Sequence, residues 1–211
     1  MILGIETSTT NASLALYDRG NDEIVWGSRF VSQRAHNVVI FEPIEEMMGK
    51  YRDQLSGIVV GTGPGSYGGV RVAISIANGI SMVLGIPILG MSSLGAWDVD
   101  GGLWYVLGDA RRKTTFVAEV KDRRAVAEPD LVGDEEIDNR IASLQKMGCP
   151  LVTADESVAR RWEDVCLSYP EAENLCRSAG ATDPGEWCQS GPLEPHYLRA
   201  PYITTPKKQV R

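Results

Sequence analysis

A chain of 211 residues, 43% of them hydrophobic and 23% charged, can bury a core as one domain or as two small lobes. Its 28 acidic residues against 21 basic ones leave a net charge of −7, the wrong sign for a protein that grips nucleic acid unaided. No unbroken apolar run approaches the roughly 18 residues of a membrane helix, and the four cysteines, Cys149, Cys166, Cys176 and Cys188, lack the two-residue spacing of zinc or redox motifs. They read as reduced thiols of a cytoplasmic protein.

Residues 2–6 form an apolar run ending in Glu6, which reads as a strand rather than a leader. After a polar turn, residues 12–17 alternate, with Ala12, Leu14 and Leu16 on one face. Gly20, Asn21 and Asp22 mark a hairpin, and a third strand is expected over 24–31. Helical spacing of Val39, Ile44, Met47, Met48 and Tyr51 predicts a helix over 36–50, kinked at Pro43. Residues 57–61 are apolar throughout, as a central strand would be. A glycine-rich turn, a second helix over 69–84 and a short strand over 86–89 complete this half.

Three meandering strands followed by helix, strand, helix and strand is the order of a ribonuclease-H-like sheet, with the later strands added in parallel through helical crossovers. The pattern of residues 2–16 recurs weakly later. Residues 105–109 end in Asp109, a basic turn of Arg111, Arg112 and Lys113 follows, and 115–120 return as a strand. The basic turn and the tail residues Lys207, Lys208 and Arg211 read as solvated surface. Helices over 134–146 and 157–167, a strand over 150–153 and irregular chain after them complete the pattern. The expectation is an α/β, actin-like, two-lobed fold with mixed sheets: residues 1–100 in the first lobe, 101–211 in a shorter second one.

The most informative segment is Gly63, Pro64, Gly65, Ser66, Tyr67, Gly68 and Gly69, between a buried strand and a helix. Backbone N–H groups at such a junction can hold an anion, and the glycine spacing matches a dinucleotide fingerprint. No acid follows about 20 residues on, and no Gly-Lys-Ser/Thr is present. A tight turn that needs positive φ accounts for the glycines equally well. Glu6 and Asp109 end the first strand of each lobe, where a carboxylate serves either as a remnant of a metal–nucleotide site or as an exposed strand-end cap. Asp109 has Arg111 and Arg112 beside it to pair with. The two histidines, His36 and His196, and the scattered cysteines make no metal cluster. No G-x-S-x-G elbow is present. The alternative class is a small actin-like ATP-binding enzyme, kinase or peptidase-like.

The run from Gly63 to Arg71, with Ile86-Pro87 and Gly90-Met91-Ser92-Ser93-Leu94 after it, resembles the signature of the TsaB (YeaZ) family, which usually reads G-P-G-S-F-T-G-L-R, G-I-P and G-V-S-S-L. Ile5-Glu6-Thr7-Ser8, Arg34-Ala35-His36, Pro43-Ile44, Asp109-Ala110-Arg111 and Pro195-His196-Tyr197-Leu198-Arg199 extend it over nearly the whole chain. Tyr67, Gly68 and Val70 depart from the usual Phe, Thr and Leu, and Glu6 from a usual Asp. The family is similar to the transferase TsaD, whose metal-binding H-x-x-x-H pair would fall here on Ser93 and Trp97, neither a good metal ligand. The resemblance implies a non-catalytic subunit for threonylcarbamoyladenosine modification of tRNA. It would bind TsaD together with the ATPase TsaE, form a homodimer in isolation, and touch tRNA only indirectly. It implies no membrane, no metal and no required cofactor, with ATP or ADP near the partner interface left open; Glu6 and residues 63–67 would form the nucleotide turn.

The second helix is apolar on nearly all sides, so it is expected to be buried twice. Val72, Ile76, Gly79, Ile80 and Val83 share one face. Val70, Ala73, Ile74, Ala77, Ser81 and Leu84 share the other, which is expected to face outward as the partner interface because its small residues admit a second helix.

Overall fold

The computed structural model describes residues 1–31, 37–183, 185, 187 and 193–198. The expectations placed on Arg34, Ala35, His36, Cys188, Arg199 and the basic tail lie outside the described residues.

The first sheet consists of β1 (Ile2–Glu6), β2 (Asn11–Asp18), β3 (Glu23–Val31), β4 (Gly57–Gly61) and β5 (Ile88–Met91), in the order β3-β2-β1-β4-β5. β1 pairs antiparallel with β2 and parallel with β4, which pairs parallel with β5. This is the ribonuclease-H-like order that the pattern predicts. Alternation along the strands supplies two apolar faces. Leu3, Ile5, Leu14, Leu16, Ile58 and Val60 meet α1 (Phe41–Tyr51) and α2 (Tyr67–Leu84). Ile2, Ala15, Tyr17, Val59 and Leu89 meet α5 (Ala172–Gly180) on the other side.

The second sheet contains β6 (Leu103–Asp109), β7 (Thr114–Lys121), β8 (Arg124–Ala125), β9 (Asp130–Gly133), β10 (Leu151–Thr153) and β11 (Val165–Leu167). Its order is β11-β10-β6-β7-β8, with β9 paired to β7. α3 (Ile137–Lys146) and α4 (Glu156–Arg161) cover one face through Ile137, Ile141, Leu144 and Val158. Leu94 and Trp97, from the short 3-10 turn 93–96 and the residue after it, pack against Trp104, Val106 and Val120 on the other.

Several expectations change. The α-helix begins at Phe41, after a 3-10 turn at 37–40, so Pro43 sits in the first turn, where its missing N–H has no helical partner to lose, and not at a mid-helix kink. Residues 157–167 divide into α4 and β11: Val158, Trp162 and Val165 have helical spacing, but Val165–Leu167 pairs in parallel with β10. The stretch read as irregular contains α5, which lies on the first sheet. The C-terminal part of the chain therefore does not all belong with the second sheet.

The orientation of α2 is the reverse of the expected one. Val70, Ala73, Ile74 and Ala77 are buried in the core under the sheet. Ser81 donates its hydroxyl to Ile86 O at 2.6 Å, beside the left-handed C-cap Gly85, and Leu84 packs on the same core. Small residues lie inward because a helix sits close over strands where its contact residues are small. Met82 and Val83 are 84% and 75% exposed. α2 is 18 residues long with mean hydropathy 1.3, enough by length and composition to span a membrane, but its Ala73–Ala77 face is already sealed against the sheet. Ala77→Arg should therefore disrupt the fold itself: an unpaired buried charge costs about 3–5 kcal/mol, or a Tm lowered by about 10 °C. Thermal melts followed by circular dichroism check this, with Val83→Arg expected to melt like the parent.

Candidate functional site

Glu6, Ser93 and the residues of the expected nucleotide turn come together where the ends of β1 and β4, the glycine turn and the 93–96 turn meet. Ser66 is the N-cap of α2 and accepts from Gly69 N–H at 3.3 Å. Ser66 N–H donates to Ser8 O at 2.6 Å, and Thr7 Oγ1 donates to Gly69 O at 2.9 Å. A Cβ on Gly65 would overlap Ser8 O, and one on Gly69 would overlap Thr7 O. Gly63 has φ +94°, the left-handed region, and precedes a cis peptide to Pro64. The glycines thus let the turn lie flat against the β1–β2 turn, which gives them a packing reason independent of any anion.

Glu6 is not the exposed strand-end cap considered above. It is fully buried, with Oε1 accepting Ser8 N–H at 2.6 Å and Oε2 meeting no donor. Burial pushes its carboxyl above the usual range, and the polar groups of Ser8, Ser93 and Thr7 around it offset this only in part. A Cβ on Gly61 would overlap Oε2, so the carboxyl fits only because that position is glycine. Asp109, by contrast, is held by Arg111, through its N–H at 2.7 Å and Nη1 at 3.0 Å. Arg111, Arg112 and Lys113 all have positive φ in that turn.

Ser93 and Trp97 have structural partners. Ser93 Oγ accepts Gly63 N–H at 3.2 Å, and Ser93 N–H donates to Gly63 O at 2.9 Å. Trp97 Nε1 donates to Ser168 O at 3.3 Å. Ala96 O between them accepts Glu171 N–H at 2.9 Å and Asn174 Nδ2 at 3.0 Å. Among the described residues no group of three His, Cys, Asp or Glu side chains is placed to hold a metal.

A cleft of about 350 Å³ adjoins the glycine turn, bounded by Thr62, Pro64, Ser92 and Leu94 on one side and Ala127, Glu128 and His196 on the other. Residues 193–198 contribute His196 to its lining. Leu193 packs on the first core, His196 N–H donates to Thr62 O at 2.8 Å, and the His196 ring meets Glu128 Oε2 at 3.1 Å. Tyr197 stacks on Tyr67 with centroids 5.1 Å apart, and Arg71 donates to the Tyr67 hydroxyl at 2.7 Å. The sequence brought His196 forward only as one of two separated histidines and as part of the family resemblance. Its pairing with Glu128, 68 positions away, left no local signal.

The profile of a protein family described as "TsaD: tRNA N6-adenosine threonylcarbamoyltransferase" matches residues 30–183. The chain is 29% identical over 150 residues to the tRNA threonylcarbamoyladenosine biosynthesis protein TsaB of Escherichia coli, covering 62% of this chain and 64% of that protein. It is 34% identical over 98 residues to the TsaB of Haemophilus influenzae, covering 45% and 40%. The chain belongs to the TsaB (YeaZ) branch of the TsaD family. The matched stretches thus span under two thirds of these relatives' own length. A Pseudomonas aeruginosa crystal structure, described as an uncharacterized protein with similarity to peptidase YEAZ, superposes with a TM-score of 0.72 at 21% identity, over 94% of this chain and 99% of that one. It supports the actin-like fold of this TsaB-family chain. The packing role of the TsaB-type glycine turn gives a sharp test. Gly65→Ala should lower stability by about 1–3 kcal/mol, read as a lower urea midpoint with an unchanged slope, although residue 65 is exposed.

Proposed function

We propose that this TsaB-family chain is a non-catalytic subunit for threonylcarbamoyladenosine modification of tRNA in the cytoplasm, docking on a TsaD-type transferase and acting with TsaE. The observation that carries the proposal is the outward face of α2. Along it lie Ser75, Gly79, Met82 and Val83, all exposed, flanked by half-buried Val72, Ile76 and Ile80. Val39, in the 37–40 turn that packs on α2, is also exposed. A contiguous apolar helix face on a soluble lobe marks an interaction site.

Gly79 supports the same reading. A Cβ there would meet nothing within 4 Å, so nothing inside the chain requires glycine. In a helix interior it costs about 1 kcal/mol relative to alanine. A helix of TsaD, or of a second copy of this chain in isolation, crossing at Gly79 would account for it. The corrected interface is therefore Val72, Ile76, Gly79, Ile80, Met82 and Val83, in place of the Ala73–Ala77 face. Of the expected nucleotide turn, the exposed Gly65, Ser66 and Tyr67 stay in the proposal as the place where ATP or ADP would sit, whereas buried Glu6, Gly63 and Pro64 do not face solvent.

The experiment is co-sedimentation of the chain with the TsaD of its own source, alongside reconstituted tRNA modification. Val83→Arg and Gly79→Leu should leave the monomer folded, weaken binding at least tenfold and lower modification in parallel. Full binding by both variants sinks the proposed face. Robust ATP hydrolysis by the purified chain alone would favour the enzyme reading instead.

A further inference from the structure

We propose that the docking face of α2 is charge-selective, rimmed by Glu42 and Glu45 of α1. Its occupant is an amphipathic helix of another protein, with Lys or Arg along the edge that lies over α1, and a second copy of this chain is opposed. The inference rests on the reading of α2 as a docking face and adds the chemistry of the partner.

The surroundings of α2 fix where an occupant can spread. Tyr67, Arg71 and Asn78 share one flank of the helix. Val72, Ile76 and Val83 share the other, with the exposed line of Ser75 and Met82 between them. Residues 193–198 already cover the first flank. Asn78 Oδ1 accepts Leu193 N–H at 3.3 Å, and Tyr197 stacks on Tyr67 with centroids 5.1 Å apart. The 37–40 turn also packs on α2, and it runs straight into α1 on the same side of the sheet. Ile40 and Ile44 share their core with Val72, Ile76 and Ile80, which places the turn and α1 along the second flank. A helix laid on Gly79, Met82 and Val83 therefore meets Val39 and Phe41 next, 39% and 54% exposed.

Beyond these apolar residues the surface is acidic. Glu42 and Glu45 are exposed, and Glu45 stands one turn on from Phe41 and Glu42, the spacing that puts helix neighbours on one face. Glu46 is exposed too, but Lys50 Nζ holds it at 2.8 Å. Among the described residues no ion pair ties down Glu42 or Glu45. α2 itself carries a single charged residue, Arg71, on the covered flank, with Nη1 on the Tyr67 hydroxyl at 2.7 Å. The open rim thus presents two carboxylates without a counter-charge of their own.

Apolar area gives such a contact its strength, and rim charges decide which partner arrives and stays. A basic edge over Glu42 and Glu45 meets opposite charge. A second copy does not. In an antiparallel two-fold pairing of α2 on α2, the two α1 helices face each other, carboxylate rim against carboxylate rim. Each copy also brings a net charge of −7, which opposes self-association in any orientation. Salt screens both effects beyond about 8–10 Å, so the two kinds of contact should respond to it in opposite directions.

Sedimentation of the full chain, alone and with the TsaD-type transferase of its own source, tests this at low and high salt, about 50 and about 500 mM NaCl. Raising the salt should weaken transferase binding about tenfold and tighten self-association. Glu42→Lys with Glu45→Lys should weaken transferase binding at least about tenfold at low salt and remove most of its salt response. Mixed with the parent chain, that variant should associate at least about tenfold tighter than the parent does with itself. Unchanged transferase binding by the Lys variant, with an unchanged salt response, overturns the proposal, and so does a mixture no tighter than the parent. Val83→Arg separates the two readings: if it weakens docking and the Lys variant does not, the face stands and the rim falls. If the chain binds the transferase under neither condition, the docking reading fails and the mixing measurement alone decides the rim. Should the Lys variant melt early by circular dichroism, Glu42→Gln with Glu45→Gln takes its place: loss of the salt response supports the rim, and a retained response overturns it.

Discussion

The structure turns on a five-residue segment, 93–97, that is packed from both sides. Leu94 and Trp97 complete the core under the second sheet, while Ala96 sits in the core between α5 and the first sheet. Backbone groups of the same segment receive Arg123 from the β7–β8 hairpin, with Nη1 to Trp97 O at 3.0 Å, and Asn174 from α5. Gly95 must be glycine, because any side chain would overlap the Arg123 backbone. The two sheets are therefore not separate bodies on a loose tether. The second sheet needs the segment to cover the face that α3 and α4 leave bare, and the first takes Ala96 into its core beside α5.

This constraint explains why the site takes its present form. A segment that is core on both sides cannot also present open coordination positions, and Ser93 and Trp97 spend their polar atoms on Gly63 and Ser168. The glycine turn is drawn onto the same joint, and its close contacts with Thr7 and Ser8 exist because glycine removes the Cβ at 65 and 69. Glu6 is buried as a consequence: with the turn pressed down and Gly61 beneath it, the carboxyl has no path to water.

Much of the fold was legible because pattern and packing agree. β1 and β4 coincide with their apolar runs, since a strand buried on both faces has no reason to alternate. The failures have physical causes too. Ala172, Leu175, Cys176 and Ala179 repeat at 3, 4 and 7 residues, the signal of α5, but Pro170 and Gly180 beside them make the stretch look irregular. β11 was hidden because Val158, Trp162 and Val165 also satisfy a helical period, and only its pairing with β10 separates the two. The site was half legible. Sequence brought forward Glu6, Ser93 and the glycines, but whether Glu6 faces water depends on Gly61, which no local pattern connects to it.

The reversed orientation of α2 shows where periodicity stops. A helix with two apolar faces satisfies the same 3.6-residue pattern whichever face it buries, so the choice rests on shape. The sheet presents Leu3, Ile5, Val60 and Ile88, and α2 settles on them through Ala73 and Ala77 together with Val70 and Ile74. The larger Val72, Ile76 and Ile80 are then forced to the flanks, and Met82 and Val83 to the outside. Small residues in a helix thus mark close approach without saying to what. The protein's own sheet has first claim on them, because it is covalently present, and any partner meets the face that remains. On that face the one residue without an internal reason is Gly79. For this reason an unexplained glycine identifies a contact surface better here than the run of alanines does.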